Sequence, residues 1–204
     1  MQGFMEFIKD YIWIILAVIA GIVFYIVMSY RRMKPLINSM KANAELEEKY
    51  GEMTVEKIDA APDDILWKAV LMGIWSRMAD DMSDEKAVFA SLNDYQKTVY
   101  AINKIETEVA DRGLETFYLT SHRMYALDSD FYSKVGAKAK SEIIKKANAV
   151  FEEHRDLFEK GELLPMSEQY YFDDVQNEWN GCEEDINALC VRYIREHKAE
   201  MAER

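Results

Sequence analysis

The chain is short of cysteine, proline, glycine and positive charge, and each shortage excludes something. Two Cys in 204 residues are too few for a disulfide scaffold or a four-cysteine zinc site. Three Pro and eight Gly are too few for the turn-rich chains of β-sandwiches and barrels. With 25 Lys+Arg against 37 Asp+Glu, the net charge is −12, so the chain lacks the basic face that direct nucleic-acid binding needs. Catalytic signatures are missing too. There is no G-x-S-x-G, no Walker loop and no G-x-G-x-x-G. His122, His154 and His197 stand far apart, and Phe151 occupies the position where a helical E-x-x-H metal motif needs Glu. Asp128-Ser129-Asp130 lacks the remaining ligands of a calcium loop. The expectation is a protein without catalytic, metal or cofactor-binding residues.

Apolar residues are plentiful. Half the chain is hydrophobic and 12% is aromatic, enough for a packed core and too much for a disordered acidic tail. Tyr11 to Tyr30 is a run of 20 residues without a charge. At about 1.5 Å of rise per residue, a helix of that length covers a hydrocarbon core of about 30 Å. Tyr11, Trp13, Tyr25 and Tyr30 place amphipathic rings near its ends. The run is too long for a cleavable signal, and acidic residues precede it. Arg31, Arg32, Lys34 and Lys41 follow the run, and only Lys9 precedes it. Basic flanks stay on the cytoplasmic side. The prediction is a single-pass inner-membrane protein, N-terminus outside and C-terminal domain cytoplasmic, with Cys182 and Cys190 reduced. Ala17 and Gly21 form a small-x-x-x-small pair, a spacing compatible with a homodimer.

Beyond the span, Pro35 is expected to close the membrane helix, with a polar helical stalk over 36–50 and a linker over 51–61. Pro62-Asp63-Asp64 reads as a helix start. Tyr95, Val99, Ile102, Ile105 and Val109 recur at steps of four, three, three and four, the strongest amphipathic pattern in the chain, with Gly113 as its left-handed cap. A helix is expected around 123–135, a long one from about Ala139 to Phe151, and a last one from about Glu183 with Cys190 facing inward. Nothing alternates like a surface strand. The fold class is therefore all-α: a transmembrane helix followed by a compact helical bundle. Its parts are an anchor over 1–34, a stalk and linker over 35–61, and an acidic domain over 62–204.

From Gly161 to Val191 there is no Lys or Arg. The stretch carries Glu168, Asp173, Asp174, Glu178, Glu183, Glu184 and Asp185, interleaved with Tyr170, Tyr171, Phe172 and Trp179. These residues read as a docking face in which carboxylates steer and aromatics anchor. The competing reading is a solvated acidic face with its aromatics in the core. Asp80 and Asp81, with Asp84 and Glu85, form a second acidic patch.

Residues 95–121 resemble the signature region of the DNA mimic protein nineteen family. Glu108 and Val109 match its Glu-Val step, Gly113 matches the second glycine of its turn, and Phe117-Tyr118 with Ser121 match its aromatic stretch. Val135-Gly136-Ala137 resembles an Ile-Gly-Ala step before a long helix ending in an apolar-Phe pair, here Val150-Phe151. Ala110-Asp111-Arg112 and Leu114 depart from the family's Asn-Asn-Gly and Phe. The resemblance implies an all-helical, dimeric, acidic domain whose carboxylates imitate the DNA backbone. The charge is compatible: residues 35–204 hold 35 acids and 21 bases, a net of −14. The expected function is a membrane-tethered module presenting an acidic surface to a basic protein, such as a DNA-binding regulator. An immunity protein that neutralises a toxin at the membrane face is an alternative. A metal-dependent hydrolase is a weaker one.

Overall fold

The structure is a computed structural model. It describes the backbone of residues 2–79, 81–164 and 170–203, and their side chains except those of 2–15, 17, 36, 40, 170 and 171. The chain divides into two compact units, residues 1–48 and 49–204.

The first unit is helical throughout, within α1 (Gln2–Tyr50). Pro35 lies inside this helix and does not end it, contrary to the sequence-based expectation. Proline removes only the bond it would itself donate, and an exposed helix tolerates that loss by exposing the freed carbonyl to its surroundings. Among the described residues no helix is long and apolar enough to cross a membrane. The predicted span begins at Tyr11, and its side chains at 11–15 and 17 lie outside the described residues. Those that are described are exposed large hydrophobics: Leu16, Val18, Ile19, Ile22, Val23, Phe24, Tyr25, Ile26, Val27 and Met28.

In the second unit, residues 51–61 are not the linker that their composition suggests. Thr54 accepts the Lys57 N–H and starts α2 (Val55–Ala60). Tyr50, Met53, Ile58 and Ala61 are buried. Pro62 then opens α3 (Asp63–Trp75), as expected. A loop leads to α4 (Glu85–Ser91), which was not anticipated as a helix.

The centre of the unit is α5 (Asp94–Leu119), capped by Asn93, whose Oδ1 accepts from Tyr95 N at 3.1 Å and Gln96 N at 2.9 Å. Val99, Tyr100, Ala101 and Ile102 are fully enclosed. Its stripe is the one read from the sequence, because a wide apolar face must be covered on several sides. Gly113 breaks the helix with φ 79° and ψ 165°. As the sequence leads one to expect, this positive-φ glycine separates the long helix from a short aromatic one that runs to Leu119, although its ψ lies outside the left-handed helical region of the expected cap.

The anticipated helix at 123–135 is three pieces: a 3₁₀ turn (Ser121–Arg123), α6 (Met124–Leu127) and α7 (Phe131–Val135). Asp130 caps α7 through Ser133 N and Gly136 ends it in the left-handed region at φ 84°. Next come α8 (Lys138–Glu153), α9 (Arg155–Glu159), α10 (Tyr170–Asn180), α11 (Ile186–Glu196) and α12 (Lys198–Met201). No strand occurs among the described residues. Helices α3, α6, α7, α9, α10 and α12 all pack on α5, and α8 closes over α7 and α10. The second unit is thus a helical bundle wrapped around one central helix.

Candidate functional site

The acidic residues singled out from sequence fall into two groups. One group holds the fold together. Glu184 accepts the backbone N–H groups of Ala139 and Lys140, both at 2.9 Å, so its two oxygens cap the N-terminus of α8. Asp185 accepts Ala188 N at 2.9 Å and caps α11. Glu178 pairs with Lys146 at 2.6 Å, joining α10 to α8. Asp84 accepts Ala79 N at 2.9 Å inside its own loop.

The second group faces solvent. Asp173, Asp174 and Glu183 are exposed and hold no ion pair among the described residues. Asp81 is exposed, and hydrogen bonds from Ser83 keep its carboxyl below the ordinary range. Asp80 and Glu168 lie outside the described residues. The aromatic anchors expected among these acids are corrected where they are described. Phe172 and Trp179 are 2% and 6% exposed, so they belong to the core. Phe172 packs on Tyr118 and Phe158, and Trp179 meets Tyr132 edge-on. The side chains of Tyr170 and Tyr171 lie outside the described residues. What remains at 173–183 is a carboxylate surface with its described aromatics turned inward, the arrangement that a helical period over an apolar core enforces.

Two polar clusters within the bundle were not anticipated. In the first, Glu85 Oε1 accepts from Tyr100 Oη at 2.6 Å and Tyr125 Oη at 3.0 Å, and Lys104 Nζ lies at 3.0 Å. Glu85 Oε2 faces His122 Nε2 at 3.5 Å, and His122 Nδ1 faces Glu108 Oε1 at 3.1 Å. The ring stands between two carboxylates. Burial pushes the Glu85 carboxyl upward. Hydrogen bonds from Tyr100, Lys104 and Tyr125 more than reverse this, leaving it below its ordinary value. Burial, then Glu85 itself, pushes the phenols of Tyr100 and Tyr125 far up. The cluster therefore works as a clasp between α4, α5 and α6, and Glu85 belongs to it, not to an acidic surface patch.

In the second cluster, Lys140 is 5% exposed. Its Nζ lies 3.2 Å from the Trp179 ring centre and 3.4 Å from Glu106 Oε1. Tyr132 Oη donates to the same Glu106 oxygen at 2.9 Å. Burial lowers the Lys140 ammonium, with Glu106 opposing. Such a buried pair ties α5, α8 and α10 together. Sequence carries no signal for either cluster, since the hydrogen-bonded partners lie 14 to 40 residues apart on different elements.

Cys190 is buried and its thiol is pushed up by burial and then by Glu106, the opposite of what a nucleophile needs. Cys182 is a free thiol of intermediate exposure. Among the described residues no group of three or more His, Cys, Asp or Glu could hold a metal ion.

No curated protein and no solved structure matches the chain. A family model does match, over α5 through α11. Residues 90–197 fit the model described as DMP19-like protein, and because that match takes in more than half of the 204 residues, the chain belongs to the DMP19-like family.

Proposed function

We propose that the second unit is a protein-interaction module that presents the free carboxylates of 173–183 to a basic protein partner. Family membership supports an interaction or DNA-mimic role. The observation that carries the reading is the contrast within one acidic stretch. Glu178, Glu184 and Asp185 are consumed by the fold, while Asp173, Asp174 and Glu183 stand exposed with no ion pair among the described residues. A carboxylate that stabilises nothing internally is available to a partner's Lys and Arg, as phosphates are in duplex DNA. Asp81 supplies a further exposed carboxylate.

The module is tethered to the membrane by residues 11–30, with the second unit on the cytoplasmic side. Support comes from the uncharged run and the basic collar Arg31, Arg32 and Lys34. It also comes from the described side chains of 16–28, whose large hydrophobics are exposed all round the helix. A helix apolar on every face needs an apolar solvent.

Crosslinking from intact membranes, followed by salt-titrated capture, tests both statements. A basic partner should be retained at low salt and released near about 0.5 M, where screening leaves a Debye length of a few ångströms. Asp173→Asn/Asp174→Asn/Glu183→Gln should abolish capture. Capture indifferent to salt and to this triple variant refutes the acidic-face reading. Recovery of the full chain in the soluble fraction refutes the tether.

A further inference from the structure

We propose that the groove between α4, α5, α6 and α7 binds a small molecule made of a planar apolar body and one anionic group, phosphate or carboxylate. The cavity there is about 490 Å³, within the usual range for small-ligand sites. Its apolar lining comes from exposed Ala90 and half-buried Met124, with the edges of the largely buried Phe89 and Phe131 rings beneath them.

Three lysines from three separate elements converge on this groove: Lys86 of α4, Lys97 of α5 and Lys134 of α7. In a chain of net charge −12, several cations do find carboxylates: Lys104 meets Glu85, Lys140 meets Glu106, Lys146 meets Glu178 and Lys198 meets Asp59. Lys86 and Lys97 have no hydrogen-bond or ion-pair partner among the described residues, and Lys134 lies only over the Phe131 ring. Lys97 also stands in the first turn of the 26-residue α5, where the helix dipole disfavours a cation. A bound anion relieves that arrangement, and three flexible ammonium groups can close on it from different sides.

Asp94 and Asp128 also line the groove. They reduce its charge to one net positive, which selects against polyphosphates and strongly acidic peptides. One anionic head beside an aromatic or similarly flat apolar body fits both the three ammonium groups and the floor. This site is separate from the carboxylates of 173–183, so its test does not depend on the protein partner.

The test is calorimetry with saturation-transfer NMR on the full chain in zwitterionic nanodiscs, using phenyl phosphate, benzoate and inorganic phosphate as probes. Phenyl phosphate or benzoate should bind at least about tenfold tighter than inorganic phosphate, because only they use the apolar floor. The tighter of the two identifies the anionic group. Lys86→Ala/Lys97→Ala should weaken that probe at least about tenfold, while Lys138→Ala, exposed and outside the groove, leaves it unchanged. Neither replaced lysine side chain makes a hydrogen bond or ion pair among the described residues, and a thermal melt verifies that the double variant is folded. No binding of either aromatic acid at about 10 mM, or equal binding by the folded double variant, overturns the proposal.

Discussion

The backbone N–H of Leu114 donates to Gln176 Oε1 at 2.7 Å, so a side chain of α10 closes the gap where the central helix breaks. The break exists because Gly113 adopts φ 79° and ψ 165°, a region that costs any other residue strain. A Cβ at Gly113 would also stand 3.3 Å from the same Gln176 oxygen. Gly113→Ala should therefore destabilise the domain by about 1–3 kcal/mol. Gln176→Leu orphans the N–H of a nearly enclosed Leu114 and should cost about 1–3 kcal/mol. Gln176→Glu keeps the acceptor and should cost less. Urea unfolding midpoints decide; a Gln176→Leu midpoint equal to wild type would show that the bond contributes nothing.

Acids within one short stretch should differ on mutation. Glu184→Ala removes both acceptors from the start of α8 and should cost about 0.5–2 kcal/mol, as lost helix caps do. Asp173→Asn and Asp174→Asn break no hydrogen bond or ion pair among the described residues and should stay within about 0.5 kcal/mol of wild type. Thermal melts of the three variants, set beside partner capture, separate the carboxylates that build the domain from those that face outward. Equal losses of stability in all three would erase the distinction.

Acid should weaken the Glu85 clasp in a defined window. Its folded-state pKa lies below the ordinary 4.5, so the stabilisation is fully present above that value and is lost as pH falls through the folded one. At pH 7, Glu85→Gln should cost about 1–3 kcal/mol, because Tyr100, Tyr125, Lys104 and His122 lose a charged acceptor. The gap between wild type and Glu85→Gln should narrow below pH 4.5. Urea titrations of both proteins from pH 7 to pH 3 measure it, and a gap that stays constant refutes the assignment.

The sequence showed the elements whose cause is local and periodic. Tyr95 to Val109 lie on one face of α5, Ile143 to Phe151 on one face of α8, and Pro62 opens α3 because its ring suits a helix start. The short α4 escaped, and α6 and α7 read as one helix, since seven residues or fewer give periodicity little to repeat. Charge was the harder quantity to read. Composition counts carboxylates but does not say which meet a cation or a helix end, so Glu184 and Asp173 looked alike until the start of α8 was placed beside one of them. Likewise, Trp179 looked like a surface anchor because only the fold shows Lys140 lying against its ring.

The domain's true N-terminal edge yields the last prediction. Composition places the boundary at Pro62, yet the second unit begins at Lys49. Tyr50 and Ile58 are 1% and 0% exposed, and Met53 packs against Gly73, where an added Cβ would lie 3.1 Å away. Arg195 of α11 holds this segment by donating to the carbonyls of Ile58 and Ala61 and to Asp63 Oδ1, while Lys198 pairs with Asp59 at 2.8 Å. Each large apolar side chain among these contributes about 1.5–3 kcal/mol by burial. Losing Tyr50, Met53 and Ile58 together approaches the whole stability of an ordinary domain, about 5–15 kcal/mol. A chain starting at Lys49 should thus melt cooperatively, and one starting at Pro62 should melt far lower or aggregate. Arg195→Lys in the longer chain should fall between them, since one ammonium cannot span two carbonyls and a carboxylate. Identical calorimetric transitions for the two truncations would mean that residues 49–61 lie on the domain without supporting it.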